Sequence, residues 1–447
     1  MTNTSRVSHE SRISGKTSAS DETAASDETP ASDAPRRGLG VGSLTALSAG
    51  GVIGLGVMSM PGIGIGIMGT GLWIAALIGA LLSAIALIPQ LTISTHADYP
   101  GGHYQQLRDL VDPRVGGIAA YIACFLVFDL SAYALSAAQL VVTADWLARG
   151  IAAILITVFV ALHALGPRIA AVAQIVLCAA LAGAFGLYAA YVVPHVNVAH
   201  LRADTVIGTP TVVAFACLYM TFMMNGTAMT ANYAAVAREP RRTIPRAMLI
   251  ALGVVAVAYV ALCVIDAGLL PIDRVANRDL GDVAASFMPR WALDAFVVGG
   301  SAFALLTTLN AAIGWMLYQL RAAGRDGWLP AEFGASSRAG GVSSSLAVVV
   351  GFVAVMPVLV GVSTKTVSSS VTILVLLVQA ALAIGAVRLA LRSPAGLPRL
   401  VGCVAAAIVD ALLVIWLLYT MSPLLIVGNA VLLIIAVIAA LLRWRRL

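Results

Sequence analysis

The sequence predicts an all-α integral membrane protein with about twelve transmembrane helices. Of its 447 residues, 60% are hydrophobic and only 11% are charged, whereas a soluble domain carries about 25% charged residues. Apolar runs of about 20 residues, the length that crosses a bilayer, recur from residue 40 onward. They show no strand-like alternation, so a membrane-spanning barrel is not expected.

Twelve candidate spans follow one another along the chain. Turn-forming residues divide the two least distinct pairs, at Gly166-Pro167-Arg168 and at Met421-Ser422-Pro423. The approximate limits of the spans are 40–67, 71–95, 115–145, 150–166, 168–193, 209–236, 247–270, 291–320, 343–362, 367–390, 400–420 and 423–442.

The first 38 residues differ from the rest of the chain. They are polar and hold a degenerate repeat that begins at Ser20-Asp21-Glu22-Thr23. Such a segment buries too little apolar surface to fold alone, and it lacks the basic start and apolar core of a signal peptide. We expect a disordered cytoplasmic tail at 1–38 and a membrane domain at 39–447, with core helices over 39–390 and two extra helices over 400–442.

The distribution of basic residues predicts the orientation. If the N-terminus is cytoplasmic, the segments on that side hold eighteen arginines and the opposite loops hold six basic residues, the distal tail excluded. An excess of basic residues marks the cytoplasmic side. We therefore expect a multi-pass protein of the cell membrane, in contact with lipid, with both termini in the cytoplasm.

Several classes of function find no support in the sequence. The net charge of +6 is spread between apolar runs rather than gathered in one patch, so no nucleic-acid partner is expected. The five cysteines and six histidines show no metal-ligand spacing, and neither a metal nor a cofactor is expected. A catalytic cluster, a channel filter and a phosphate-binding loop are also missing, which disfavours a membrane enzyme, a channel and an ATP-driven pump.

The first and sixth spans each carry a feature that interrupts a helix. The first contains Gly50, Gly51, Gly54 and Gly56 within seven residues, and glycine lowers helix stability. Close packing through small residues is the alternative interpretation. In the sixth span, Asn225-Gly226 lies at mid-membrane. Interruptions at corresponding positions five spans apart predict two inverted five-helix repeats with a binding site between them.

Four motifs stand in order along the chain. They are Gly54-Leu55-Gly56 in span one, Tyr99-Pro100-Gly101-Gly102-His103-Tyr104 after span two, Glu239-Pro240-Arg241-Arg242-Thr243-Ile244-Pro245-Arg246 after span six, and Gly324-Arg325-Asp326-Gly327-Trp328-Leu329-Pro330 after span eight. Together they resemble the motifs of bacterial permeases in the amino acid–polyamine–organocation transporter family. The resemblance covers most of residues 40–447. It implies the fold of the bacterial leucine transporter, with ten helices in two inverted repeats, broken helices 1 and 6, and two further helices.

The resemblance also implies a substrate site at the two broken helices. Backbone groups of Gly54-Leu55-Gly56 would bind the substrate carboxylate, and carbonyls near Val52 and from Phe222 to Asn225 would bind its amino group. Phe222 stands where relatives close an aromatic ring over the substrate, although Phe222 could simply pack and Asn225 could bond to its own helix. The expected substrate-binding residues are Val52, Gly54, Leu55, Gly56, Phe222, Met224, Asn225, Gly226 and Thr227.

The coupling ion is left open by the sequence. Leu181 lies near the place where some relatives have a lysine that replaces a sodium ion. We identify two acids inside the predicted spans. Burying an acid in a membrane costs free energy, so such residues usually have a functional role. Asp129 in span three is the candidate proton carrier, with a structural hydrogen bond as the alternative, whereas Asp410 in span eleven is assigned to structure or to an oligomer contact. Thr307 and Thr308 are the candidate ligands of a sodium ion.

These features predict a secondary permease that moves a small amino acid by alternating access, with a proton or a sodium ion as the co-ion. The pocket inferred from spans one and six carries no fixed charge, so a neutral substrate is expected. An exchanger or exporter of amino-acid-like metabolites or amines is the alternative within transport. A membrane enzyme is the alternative of another class.

Overall fold

The computed structural model describes residues 38–54, 56–202, 205–206, 208–337, 341–361, 372–392 and 396–447. The predicted tail at 1–38 lies outside these residues except for Gly38, and so does Leu55 of the expected substrate site.

The described residues form α-helices, short 3-10 helices at Val193–His195, Thr227–Tyr233 and Ala331–Gly334, and two isolated β-bridges. The α-helices are α1 (Val41–Val52), α2 (Gly56–Met68), α3 (Leu72–Ala86), α4 (Ile88–His96), α5 (Gly102–Leu110), α6 (Pro113–Leu126), α7 (Asp129–Gln139), α8 (Asp145–Leu165), α9 (Pro167–Val192), α10 (Val198–Arg202), α11 (Pro210–Met224), α12 (Pro240–Leu269), α13 (Ile272–Val275), α14 (Leu280–Ala284), α15 (Arg290–Arg325), α16 (Ser344–Val360), α17 (Thr372–Leu391), α18 (Gly396–Thr420) and α19 (Pro423–Trp444).

The prediction of many membrane-spanning helices is confirmed. Among the described residues, ten helical segments are long and apolar enough to cross a bilayer, and α1 with α2 makes an eleventh if the bent pair is one span. The predicted span at 343–362 corresponds to α16, which has 17 residues and falls slightly short of the roughly 20 that a straight crossing needs. The described residues therefore support ten or eleven of the twelve predicted spans.

The two least distinct divisions lie where the turn residues place them. α8 ends at Leu165 and α9 begins at Pro167, with Gly166 between them at a φ of 144°, a backbone conformation that glycine adopts without strain. Proline suits the first turn of a helix because its missing N–H has no intrahelical partner there. In the same way α19 begins at Pro423, after α18 has ended at Thr420.

The long helix α15 forms the centre of the bundle. Nearly all of its residues from Ala304 to Gly324 are buried, and it packs against α1, α7 and α9. α19 lies at the periphery, with only 17% of its most apolar stretch buried. Large apolar side chains such as Val257 on α12 and Ile408 on α18 are exposed, as expected for helices that face lipid chains.

Candidate functional site

The first candidate span changes direction between α1 and α2. α1 ends at Val52 and α2 begins at Gly56. Together they are long and apolar enough to form one span, which is bent by 51°. The amide of Gly54 donates to the carbonyl of Val52 over 3.0 Å, and Ile53 between them has φ −78° and ψ 85°. This is a tight inverse γ-turn. Regular helical hydrogen bonding stops here, and backbone groups are left for other partners.

The four glycines of the first span occupy two different environments. A Cβ atom on Gly50 would collide with a side-chain amide of α9, and one on Gly51 would collide with the indole ring of Trp315. A Cβ atom on Gly54 or Gly56 would meet nothing closer than 3.8 Å and 3.5 Å, respectively. Close packing therefore accounts for the first two glycines, whereas the last two border open space.

The α-helix of the sixth span ends at Met224. Asn225 then has an extended backbone, and Gly226 has a φ of 131°, which favours glycine. The chain continues as the 3-10 helix Thr227–Tyr233. A Cβ atom on Gly226 would lie 3.3 Å from Cγ2 of Val52. The end of α11 therefore faces the end of α1 across the bundle.

A cavity of about 370 Å³ lies between these two helix ends. Its volume falls within the usual range of small-molecule sites, roughly 300–1,000 Å³. It brings together six residues of the expected substrate site and two of the expected coupling residues. They are Val52, Gly54, Gly56, Phe222, Asn225 and Gly226, together with Asp129 and Thr308.

The remaining predicted residues that the structure describes do not line this cavity. Met224 is fully buried and Thr227 nearly so, and both line a smaller neighbouring cavity. Thr307 donates to the carbonyl of Ala304 over 2.8 Å, so its hydroxyl is satisfied by its own helix. Leu55 lies outside the described residues.

Gln379, Trp315 and Gln319 also line the cavity, and the sequence did not single them out. Gln379 forms a reciprocal amide pair with Asn225. It is the one side-chain amide of the apolar helix α17, and a polar residue in such a helix is a signal that could have identified it.

Phe222 lines the cavity and also packs against a neighbouring ring. Its centroid lies 5.4 Å from that of Trp416 on α18, with the ring planes at 42°. Trp416 approaches Phe215 at 5.6 Å as well. α18, expected outside the ten-helix core, therefore supports the cavity wall directly.

Asp129 lies at the junction of α6 and α7 in the third span. The amides of Phe128 and Leu130 donate to carbonyls three residues earlier, the pattern of a tighter 3-10 turn. The Tyr133 hydroxyl donates to Oδ2 of Asp129 over 2.9 Å. Oδ1 is buried and has no hydrogen-bond partner among the described residues. Because a buried acceptor costs free energy when it is unpaired, this oxygen provides a place for a proton or for a donor on a ligand.

The Thr308 hydroxyl lies among three carbonyl oxygens. Its Oγ1 is 3.0 Å from the oxygen of Gly50, 3.1 Å from that of Ile53 and 3.0 Å from that of Ala304. A hydroxyl carries one proton and donates to one of these acceptors at a time. The arrangement ties α1 to α15, and its oxygen atoms are of the type that hard cations bind.

The expectation that Asp129 and Asp410 are the only acids inside spans is wrong. Asp266 belongs to the span formed by α12 and is fully buried, with both carboxylate oxygens unpartnered among the described residues. Near this end of α12, the amide of Asn197 donates to the carbonyl of Gly268 over 2.8 Å, which fixes the chain before α10 to the helix. Asp410 is only 2% exposed, so it is not available for contact with a second copy of the chain.

The loop after the second span docks onto the segment that follows α11. Gly102 has a φ of 59°, and a Cβ atom there would collide with Asn232. The amide of His103 donates to Oδ1 of Asn232 over 2.8 Å, and Nε2 of His103 donates to the carbonyl of Ala228 over 3.1 Å. Burial lowers the pKa of His103 to about 4, although the bond to Ala228 opposes this effect. The imidazole is therefore neutral at physiological pH.

The other loop motifs join at the same end of the bundle. The Tyr104 hydroxyl donates to Oδ2 of Asp326 over 2.8 Å, and Arg108 forms an ion pair with the same carboxylate. The amide of Leu39, just before α1, donates to the carbonyl of Val236 over 2.8 Å. These contacts link the loops after spans two and eight, and they join the residue before α1 to the segment that follows α11.

One comparison identifies the class of protein to which this arrangement belongs. A protein-family model described as amino acid permease matches residues 39–441, which is most of the chain. A search of curated proteins finds no match.

Proposed function

The chain belongs to the amino acid permease family of amino acid–polyamine–organocation transporters, and on this premise we propose that it carries a neutral, apolar amino acid across the cytoplasmic membrane by proton-coupled alternating access. The observation that carries the proposal is the cavity of about 370 Å³ between the facing ends of α1 and α11. Non-helical backbone is tolerated at membrane depth where it lines a cavity.

The main-chain groups of a bound amino acid would be recognised by backbone. The first N–H groups of α2 have no partner within that helix, although the amide of Val57 donates to the carbonyl of Gly54 over 3.2 Å. The start of α2, at Gly56, is also the positive end of the helix dipole, which suits a carboxylate. Carbonyl oxygens at the ends of α1 and α11, near Val52 and Phe222, suit an ammonium group. This recognition leaves the substrate side chain to the rest of the cavity.

The remaining cavity wall favours an apolar side chain. Leu126, Met223, Met316 and Leu376 line it together with Phe222. No lysine, arginine or histidine is among the described lining residues, so a substrate carboxylate beyond the main-chain one would be buried without a partner. With Asp129 protonated, the site is neutral and accepts a neutral substrate.

Asp129 favours a second candidate function. When it is ionised, its unpartnered Oδ1 could pair with an ammonium or guanidinium group of a cationic substrate. An exchanger of amines or cationic amino acids is therefore the alternative. The two candidates differ in the charge of the transported molecule, which an uptake experiment measures directly.

Proton coupling is supported by the position of Asp129 on the cavity wall. A proton needs one acid that exchanges between solvent and a buried state, and Asp129 is the one carboxylate among the described lining residues. The alternative is a sodium ion held by Thr308 with the carbonyls of Gly50 and Ile53. The Thr308 contacts already have hydrogen-bond lengths and need no ion, so we favour the proton.

The overall architecture that we propose is the five-plus-five inverted repeat with broken helices 1 and 6. Its support is the pair of helix ends at Val52 and Met224, which lie in the first and sixth spans and face each other. We also propose that both termini are cytoplasmic, because the arginine-rich segments share that side.

Uptake by proteoliposomes tests the function. The purified full-length chain would be reconstituted and offered radiolabelled leucine, alanine, arginine, glutamate and putrescine, with proton and sodium gradients imposed separately. We expect saturable uptake of leucine or alanine, stimulated by an inward proton gradient. Preference for arginine or putrescine would favour the exchanger of cationic substrates, and preference for glutamate would contradict both candidates.

A further inference from the structure

A second, much smaller cavity lies beside the main one, with a volume of about 20 Å³. One water molecule needs about 10–15 Å³ measured in this way, so the space suits a single water. Residues of α3, α4, α11, the segment that follows α11, α17 and α18 enclose it. Its polar lining consists of Ser83, Gln90, Asn225, Thr227, Gln379 and Asp410.

Two hydrogen-bond acceptors in this lining have no partner among the described residues. They are Oε1 of Gln90 and Oδ1 of Asp410, whose residues are 3% and 2% exposed. The other end of the Gln90 amide is satisfied, since Nε2 donates to Ser94 over 3.0 Å. Buried polar atoms are normally hydrogen-bonded, so two unpartnered acceptors at one cavity call for a donor between them.

We propose that Asp410 is a proton-binding site, held in its protonated form and linked to Gln90 through one water molecule in the small cavity. Asp410 takes up one proton from solvent and becomes neutral, which removes the cost of a buried charge. Its new O–H donates to the water, and the water donates to Oε1 of Gln90. The second hydrogen of the water is free for an amide oxygen of Asn225 or Gln379.

Among the residues that the structure describes, no basic group is placed to neutralise Asp410 instead. α3 carries no ionisable side chain, and none other than Asp410 lines the small cavity. The ionisable residues of the other elements around it are His96 in α4, Cys217 and Tyr219 in α11, Tyr233 in the 3-10 helix, Arg388 in α17, and Arg399, Cys403 and Tyr419 in α18. His96, Arg388 and Arg399 are exposed near helix ends, and the eleven residues from Arg399 to Asp410 correspond to roughly 16 Å of helix.

Asp410 is connected to the main cavity through a shared wall. Asn225 and Gln379 line both cavities, and their amides are bonded to each other. A ligand that hydrogen-bonds to Asn225 reorients this amide pair, and Gln379 can then direct its remaining hydrogen-bonding capacity towards Asp410. This part of the inference rests on the proposed function, because it makes proton binding at Asp410 and substrate binding in the main cavity interdependent.

The protonation state is tested without any substrate, by infrared spectroscopy of the purified full-length chain at neutral pH. We expect the carboxylic-acid C=O absorption to contain a component that is lost in Asp410→Asn, while the component from Asp129 stays in place. That component should shift to higher frequency in Gln90→Leu. This variant keeps Asp410 but removes the Gln90 amide oxygen that accepts from the bridging water. Asp294→Asn, an exposed acid of α15, is the matched control and should leave the band in place. A carboxylic-acid region that is identical in the wild type and Asp410→Asn would overturn the proposal.

The link to substrate is tested by binding of the transported amino acid in one mildly acidic and one mildly alkaline buffer. We expect the ratio of the two affinities to fall towards one in Asp410→Asn and to stay at the wild-type value in Asp294→Asn. An unchanged ratio in Asp410→Asn would refute the coupling between the two sites. If no amino acid binds or is transported, the proposed function fails, while the infrared result still decides whether Asp410 holds a proton.

Discussion

The side-chain amide of Asn225 donates to Oε1 of Gln379 over 3.2 Å, and Gln379 donates back to Oδ1 of Asn225 over 3.4 Å. Asn225 follows the end of α11, whereas Gln379 lies within the continuous helix α17. The pair therefore fixes an irregular segment to a regular one at the wall of the main cavity. Each amide still has further hydrogen-bonding capacity for a ligand.

Replacement of Gln379 should weaken substrate binding. Gln379→Leu removes the partner that fixes the half-buried Asn225 amide at the cavity wall, and a lost hydrogen bond of this kind costs about 0.5–1.5 kcal/mol. We expect the apparent affinity for the transported amino acid to fall by up to roughly tenfold, since ~1.4 kcal/mol corresponds to that factor. Initial uptake rates over a concentration series measure the change. Wild-type affinity in Gln379→Leu would show that the pair has no part in the site.

Gly56 should tolerate no large side chain if α2 begins at the substrate carboxylate. A Cβ atom there already lies 3.5 Å from Sδ of Met223, and the rest of a leucine would extend into the cavity. Gly56→Leu should abolish binding, yet the protein should still purify as a folded species. Gly253→Leu on α12 is the control, because a Cβ atom there meets nothing within 4 Å. Normal uptake by Gly56→Leu would contradict the assignment of the site.

The coupling ion is distinguished by two substitutions. Asp129→Asn should remove accumulation driven by a proton gradient but spare substrate exchange, because exchange needs no net proton movement. Thr308→Val should leave proton-driven accumulation in place. Counterflow and gradient-driven uptake in the same proteoliposomes provide both readouts. If accumulation required sodium and were lost in Thr308→Val, the sodium site would replace Asp129 as the coupling element.

The predicted topology places the loop that contains Arg241 in the cytoplasm. A single cysteine introduced at Arg241, in a variant whose native cysteines are replaced, should react with a membrane-impermeant maleimide only after the membrane is opened. A cysteine at Arg278 should react in intact cells, because the opposite loops face outward. Labelling of position 241 in intact cells would reverse the orientation.

His103 should make the fold sensitive to acid. Burial lowers its pKa in the folded protein to about 4, whereas an unfolded histidine titrates near pH 6.5. As the pH falls from about 6.5 to about 4, the unfolded chain binds a proton that the folded chain does not, so stability is lost across this window, by up to roughly 3 kcal/mol.

The midpoint of thermal unfolding in detergent, measured at several pH values, tests this prediction. In His103→Gln, which keeps a donor for the carbonyl of Ala228, the midpoint should depend less on pH than in the wild type. An equal dependence in both proteins would mean that other groups are responsible for the acid sensitivity.

The sequence by itself determined that the chain forms many membrane-spanning helices, and it determined the approximate limits of most of them. The physical reason is local, since a segment must satisfy its own backbone hydrogen bonds within the bilayer and must be apolar over about 20 residues to do so. The break at Gly166-Pro167 follows from the same local rules. The motifs along the chain also indicated the family, and the glycines of span one together with Asn225-Gly226 pointed to the two helix ends around which the cavity forms.

Only the tertiary structure decided which distant residues meet at that cavity. Gln379 lies 154 positions from Asn225, and nothing in either local sequence specifies that their amides pair. Whether an acid is buried is likewise a property of the packed bundle: Asp266 lies within the predicted span 247–270, but only the structure shows that it is fully buried, and only the structure shows that Asp410 lies beside the small cavity. The residues next to it in the sequence decide whether a residue lies in a helix. The helices that pack around it decide how far it is exposed to solvent and which groups it contacts, and therefore its chemistry.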